Sequence, residues 1–318
     1  MNKFNKLSGA ILVALLATAT AQAAPTFYGN IDMGVTSASV NGKNVSRVDN
    51  GSSSASLYGI RGTEDLGGGL QAIFQLEGSF KGDDGSQGMT NTPFNRDTFV
   101  GLTNGTHTVK LGRLKTLNRA VVLEYDAFNA SAWGIAMSAM DQNGNFAANS
   151  AQYDYTGHGV KVSYQHTAGE VAEGGIQTGS SDSASVRYAN GPLSATLVHT
   201  RVDDAAPLSA STTNTMVGAG YDFGVVKTTV MYQNSNANKA NPVDSRFVVS
   251  AVAPVASNVN IMAQAGQVKL ANGDKVTLAA IGGQYILSKR TNLYASLNRN
   301  EIPGQDGHAL TAGIRHQF

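Results

Sequence analysis

Six basic residues and two acidic ones crowd into the first half of the chain: Arg61, Arg96, Lys110, Arg113, Lys115 and Arg119, then Glu124 and Asp126. Cationic groups set against carboxylates across a narrow aqueous passage do electrostatic rather than covalent chemistry. They focus a field, and the field decides which sign of ion enters more easily. Residues for covalent work are scarce. The chain has no cysteine, which removes thiol catalysis, disulfide scaffolds and cysteine-bearing zinc sites. His199 and His316 are the only appealing bases for an outer-wall hydrolase, and neither has a nucleophile motif beside it. GTEDLGGG is followed by alternation rather than a helix, so it is a poor phosphate cradle, and GDDGSQG lacks the ligand spacing of a calcium loop. No catalytic residue, cofactor or metal is expected.

The elements that must position these charges are strands. In the last eleven residues, HALTAGIRHQF, one face carries Leu310, Ala312, Ile314, His316 and Phe318, and the other Thr311, Gly313, Arg315 and Gln317. A strand of about 9–11 residues, apolar on one side and polar on the other, is the unit of a transmembrane β-barrel with lipid outside and water inside. The unit recurs. LQAIFQLE places Leu70, Ala72, Phe74 and Leu76 outward; HTVKLGR places Val109 and Leu111 outward and Lys110 inward; VKVSYQ places Val160, Val162 and Tyr164 outward. The fold class expected is all-β, a transmembrane antiparallel β-barrel of about 16 strands.

Connections alternate between tight turns (TNGT, TGHG, ANGP, YDFG) and longer polar stretches at 38–52, 81–93, 168–182, 203–211, 235–244 and 301–307. That is the alternation of periplasmic turns with external loops. All seven prolines are expected at the chain start or in connections, where a missing N–H breaks no ladder. The interval from Leu114 to Phe146 lacks clean alternation and holds the only Trp, Trp133. Its apolar stretch Ala120–Leu123 suits water poorly, so the interval reads as a constriction loop folded into the barrel.

Bulk properties agree. The 318 residues include 36 Gly, 14% are charged and 42% hydrophobic, as suits a barrel with a polar interior rather than a helical membrane protein. Residues 1–23 read as a secretory signal peptide, with Lys3 and Lys6, an apolar run and Ala21-Gln22-Ala23 as the cleavage site, leaving 24–318 as the barrel domain. Losing those two lysines takes the formal charge from +1 to −1, and neither balance points to nucleic acid.

SLYGIRGTEDLGGGLQAIFQLEGSF, FNRDTFVGL, VKLGR, YILSKRTNLYASL and GIRHQF together resemble the general porins of the β-proteobacterial and neisserial type. The resemblance implies a homotrimer in the outer membrane, among lipid and lipopolysaccharide, passing ions and small hydrophilic solutes. It also implies that Phe318 is an assembly signal read by the outer-membrane insertion machinery. Arg61, Arg96 and Arg113 match basic positions of the family. Leu57 stands where the family often has an arginine, and Phe146 where it often has another, so the basic wall looks thinned and argues against strong anion preference. Alternation puts Leu57 on the lumen side with Gly59 and Arg61. A substrate-selective channel and an adhesin are the competing readings; the loops are polar and poor in aromatics, and lumen aromatics such as Tyr294 are isolated.

Overall fold

The computed structural model describes residues 24–171, 177–178, 180–203, 212–236, 242–302 and 305–318. The expected signal peptide, the 203–211 loop beyond Asp203, Pro207 and Pro303 lie outside the described residues. The strands are β1 Thr26–Val40, β2 Lys43–Asn50, β3 Leu57–Gly67, β4 Leu70–Ser79, β5 Thr98–Thr103, β6 His107–Lys115, β7 Phe146–Gly157 and β8 Val160–Thr167. After a two-residue pair, β9 Glu170–Val171 with β10 Gln177–Thr178, come β11 Ser180–Asn190, β12 Leu193–Asp203, β13 Thr212–Asp222 and β14 Lys227–Ser235. The last five are β15 Val243–Ala256, β16 Val259–Leu270, β17 Lys275–Ile286, β18 Thr291–Ile302 and β19 Gln305–Gln317.

Seventeen of these form one antiparallel sheet that closes on itself, because β19 pairs with β1 from Asn30 opposite Gln317 to Val40 opposite Gly307. β2 and β3 are two halves of one interrupted stave: β2 pairs with Met33–Val40 and β3 with Thr26–Asn30, both on β1. The barrel therefore has 16 staves. Closure satisfies the backbone of every stave, which hydrocarbon demands because it offers no partner for an N–H or C=O.

Side chains obey the period of two. Val162, Val186, Leu197, Val217, Tyr232 and Phe247 stand opposite one another across six adjacent strands, all exposed on the outer wall. One step along, Ser185, Val198, Met216, Gln233 and Arg246 form the matching inner row. Three consecutive glycines, Gly67–Gly69, turn β3 into β4 with φ of +84°, +62° and +81°, a conformation that side chains resist.

Three sequence expectations need correction. Residues 38–52 are mostly a hairpin, with β1 running to Val40 and β2 starting at Lys43. Likewise 301–307 is largely strand, since β18 reaches Ile302 and β19 resumes at Gln305. Polar composition misled here, because strands that project beyond the bilayer need no apolar face. Pro254 lies inside β15, at a register shift between Pro254 and Ala256 where a missing N–H is tolerated.

The long 116–145 connection enters the barrel and is not structureless. It carries α1, Leu117–Tyr125, capped by the Thr116 side chain, which accepts from the Arg119 N–H, and a single turn α2, Ala136–Ala139. Leu117, Val121, Val122 and Tyr125 form the buried stripe of α1 at helical spacing. With Phe128, Trp133 and Ile135 they pack on Val198, Met216, Met231, Val248, Met262 and Leu278 of the inner wall. One side of the lumen is thus a hydrophobic core rather than water, each large side chain contributing about 1.5–3 kcal/mol.

The two faces are separable by experiment. Leu197→Arg, in the apolar outer row, is expected to cost about 2–4 kcal/mol of barrel stability, and Ser185→Arg, facing inward, under ~1 kcal/mol. Urea titration of the barrel in lipid vesicles measures both.

Candidate pore constriction

With the loop packed on the β12–β17 side, free space remains between the other face of α1 and the wall from β4 to β12. This void measures about 510 Å³, and α1 turns Ala120 and Glu124 towards it. Lys110, Lys115, Lys161 and Arg187 supply positive charge at its edge, and Asp97 lines the same space beside Lys115.

Most of these groups are paired. Lys110 and Lys161 lie 3.6 and 3.5 Å from the two oxygens of one buried carboxylate, Asp154. The Lys115 Nζ is 3.5 Å from Asp97, and the Arg187 Nε donates to both Glu124 oxygens at 2.7 and 2.9 Å. A second chain of contacts runs alongside. Arg61 sits over the Tyr28 ring at 4.9 Å, the Tyr28 hydroxyl donates to Glu77 at 2.8 Å, and the Arg96 Nε donates to Glu77 at 2.5 Å. Arg96 also lies 5.0 Å over the Phe146 ring, which holds its guanidinium in place. Arg119 donates to Gln142; burial, with Arg96 nearby, pulls its guanidinium down to about 10, still charged at neutral pH.

The loop is held by polar pegs as well as apolar packing. Asn118 donates to Asn214 at 2.7 Å and accepts from Thr200 at 2.6 Å, and the Gln233 amide exchanges two hydrogen bonds of 2.9 Å with the Asp141 backbone. Gln264 accepts from the Ile135 N–H at 3.0 Å and donates to Asp126. Glycines on the wall make room for the rings: a Cβ at Gly218 would run into Tyr125, and one at Gly282 would meet Phe128. The tip is fixed by Trp133, whose backbone N–H donates to the Ser52 carbonyl at 3.1 Å and whose ring meets Tyr294 edge-on at 5.0 Å.

Of the nine expected site residues, Lys110, Lys115 and Glu124 line the void, Arg61, Arg96 and Arg119 lie outside its lining in the contacts just described, and the other three stand apart from both. Asp126 is buried, accepting from the Phe128 and Ala130 N–H groups, and burial pushes its carboxyl up to about 6 against those bonds. It anchors the loop instead of lining water. Arg113 does not line the void: it sits where β6 shifts register against β7, opposite Thr98, with its Nε donating to the Asn95 carbonyl at 2.9 Å. Leu57 does share the lumen side with Gly59 and Arg61, opposite Asn30 and Ser79, but does not line the void.

Sequence reasoning missed Asp97, Asp154, Lys161 and Arg187 as members of the neck. Alternation already placed Lys161 inward, and the same rule applied to SVRYAN would have placed Arg187 there, between the outward Val186 and Tyr188. What strand pairing alone brings together is the convergence of β7, β8 and β11 on one height of the wall.

A closed antiparallel barrel with charges around an inward loop defines an outer-membrane channel. The profile of the Gram-negative porins matches residues 9–305, and the chain belongs to that family. It is 33% identical to outer membrane porin protein 32 of Delftia acidovorans, covering 90% of this chain and 87% of that one. It is 30% identical to an outer membrane porin protein of Bordetella pertussis, over 98% of this chain and 99% of the other. Among solved structures, the anion-selective porin from Comamonas acidovorans superposes with a TM-score of 0.81 at 28% identity, covering 93% of this chain and 99% of that one. The family is one of channels, not enzymes, and the chain is an outer-membrane porin.

The glycine seat gives a direct handle on neck width. Gly218→Leu is expected to drive Tyr125 off the wall and lift α1, changing single-channel conductance by about twofold or more, whereas Gly68→Ala in a turn leaves conductance unchanged. Planar-bilayer recordings on both variants check it.

Proposed function

We propose that this channel lets ions and small hydrophilic solutes diffuse passively, with a mild preference for anions, through the neck beside α1. The observation that carries the reading is the balance of charge there: Lys110, Lys115, Lys161 and Arg187 stand with Asp97, Glu124 and Asp154, an excess of one positive charge. Arg61, Arg96 and Arg119 extend the positive side, countered by Glu77. The Arg187–Glu124 pair joins the wall to α1, and its opposite signs on the two sides of the neck create a transverse field that steers permeants. The Comamonas porin is anion-selective, which supports the sign of the preference, and the pairing of charges supports a smaller magnitude.

The finer biology follows the same reading. Residues 1–23 serve as a cleaved secretory signal, the barrel works as a homotrimer among lipid and lipopolysaccharide, and Phe318 acts in recognition by the insertion machinery. The Phe318 backbone exchanges hydrogen bonds of 3.0 and 3.2 Å with Gly29, and its ring stacks on Phe27 at 5.7 Å, so it closes the outer wall at the seam. A residue that seals the seam is well placed to report completed folding.

Reversal potentials in a KCl gradient test the selectivity. Wild type is expected to favour chloride weakly, and Leu57→Arg to shift the potential further towards anions, most strongly below ~0.1 M salt where screening is weak. No shift would place residue 57 away from the ion path. Deleting Phe318 is expected to reduce the folded outer-membrane form several-fold, as about one aromatic contact is lost at the seam, while export continues. Heat-modifiable migration of membrane fractions measures it.

A further inference from the structure

The charges of the neck are not evenly compensated, and the surplus lies beside its apolar lining. Arg187 has Glu124 and Lys115 has Asp97, one base to one acid. Lys110 and Lys161 share the single carboxylate of Asp154, whose oxygens are also engaged by Ser163 at 2.6 Å and by Gln152 at 2.9 and 3.0 Å. Asp154 is 4% exposed, so it cannot turn away to follow either lysine. Two ammonium groups at one height of the wall, with one carboxylate between them, leave one positive charge for an incoming group.

Directly beside that charge is the Phe99 ring, half-buried on the inner face of β5, with the Lys110 Nζ 5.3 Å from its centroid. Across the void α1 presents Ala120, with the largely buried Leu117 and Val121 beside it in the lining. A ring on one wall and a small apolar step on the other form a slot, and a space of about 510 Å³ has the size of a small-molecule site.

We propose that this void binds, in addition to passing, monocarboxylates that carry a compact aromatic or alkyl group. Their carboxylate bridges Lys110 and Lys161, and the apolar group lies between Phe99 and Ala120. One surplus charge suits a monoanion. A phosphate dianion would bring a second charge towards Glu124 and Asp97, and a neutral sugar would leave the ammonium surplus unused. The proposal rests on the channel reading and adds a retained ligand class to it.

Planar-bilayer current through the reconstituted full barrel, titrated with benzoate, acetate and benzyl alcohol, tests it. Benzoate is expected to reduce the current saturably, with half-block at a concentration about fivefold or more below that of acetate, and benzyl alcohol not to block. Phe99→Ser is expected to bring benzoate to the acetate range, Phe99→Leu to keep part of the difference, and Lys161→Gln to weaken both anions. Heat-modifiable migration establishes that each variant is folded. Equal half-block by benzoate and acetate in a conducting barrel, or an unaltered benzoate titration in Phe99→Ser, overturns the proposal while the channel stands. A folded barrel that carries no current overturns both.

Discussion

Hydrocarbon offers no partner to a peptide N–H or C=O, and the whole architecture answers that one fact. An open sheet would leave two unpaired edges in lipid, each group costing several kcal/mol, so β19 must meet β1. Once the wall is closed, successive side chains have only two destinations, and a period of two becomes compulsory. The interrupted stave shows how strictly the rule holds: where β2 gives way to β3, the backbone of the intervening serine-rich segment is captured instead by side chains. Asn30 donates to the Ala55 carbonyl and the Asp32 carboxylate accepts from the Ser53 N–H, while the Ser56 hydroxyl in return serves the Asp32 backbone.

Inside, a different force sets the dimensions. The neck is narrow because aromatic and aliphatic side chains of one loop leave water for the β12–β17 wall, where glycines keep the backbone bare enough to receive them. Packing therefore decides the bore and charge decides what passes it. The two are linked through single residues: α1 buries Val121 and Tyr125 on one side and offers Glu124 on the other. Asp126 belongs to the packing half. Its raised carboxyl pKa means the folded barrel holds a proton there more tightly than the unfolded chain, whose ordinary value is near ~4. The stability that this burial costs is present as a penalty above pH ~6 and is relieved as pH falls from there towards ~4.

Electrostatically the neck is a set of pairs with a small positive remainder. Pairing fixes long side chains that would otherwise sweep the passage, so geometry is retained while net field is reduced. Cation–π contacts of Arg61, Arg96 and Lys110 with Tyr28, Phe146 and Phe99 act in the same direction, holding cationic groups against the wall without neutralising them.

The class of fold, the facing of individual strands and the inward loop were all legible in the chain before folding. Each rests on local rules, since Val109, Lys110 and Leu111 alternate whatever their neighbours are, and the apolar run near Val121 needs cover somewhere. The same rule turned Arg61 and Lys110 to the lumen side. Other features exist only once the barrel has closed. The hairpin at 38–52 looked like a loop because strands above the bilayer lose their apolar signature. Arg113 and Asp126 looked like pore charges because residue type does not reveal whether a side chain faces open water or is tied to the backbone of a neighbouring loop. Lys161, Arg187 and Asp154 are brought to the neck by pairings between strands, and register is a property of the closed sheet that no single segment encodes.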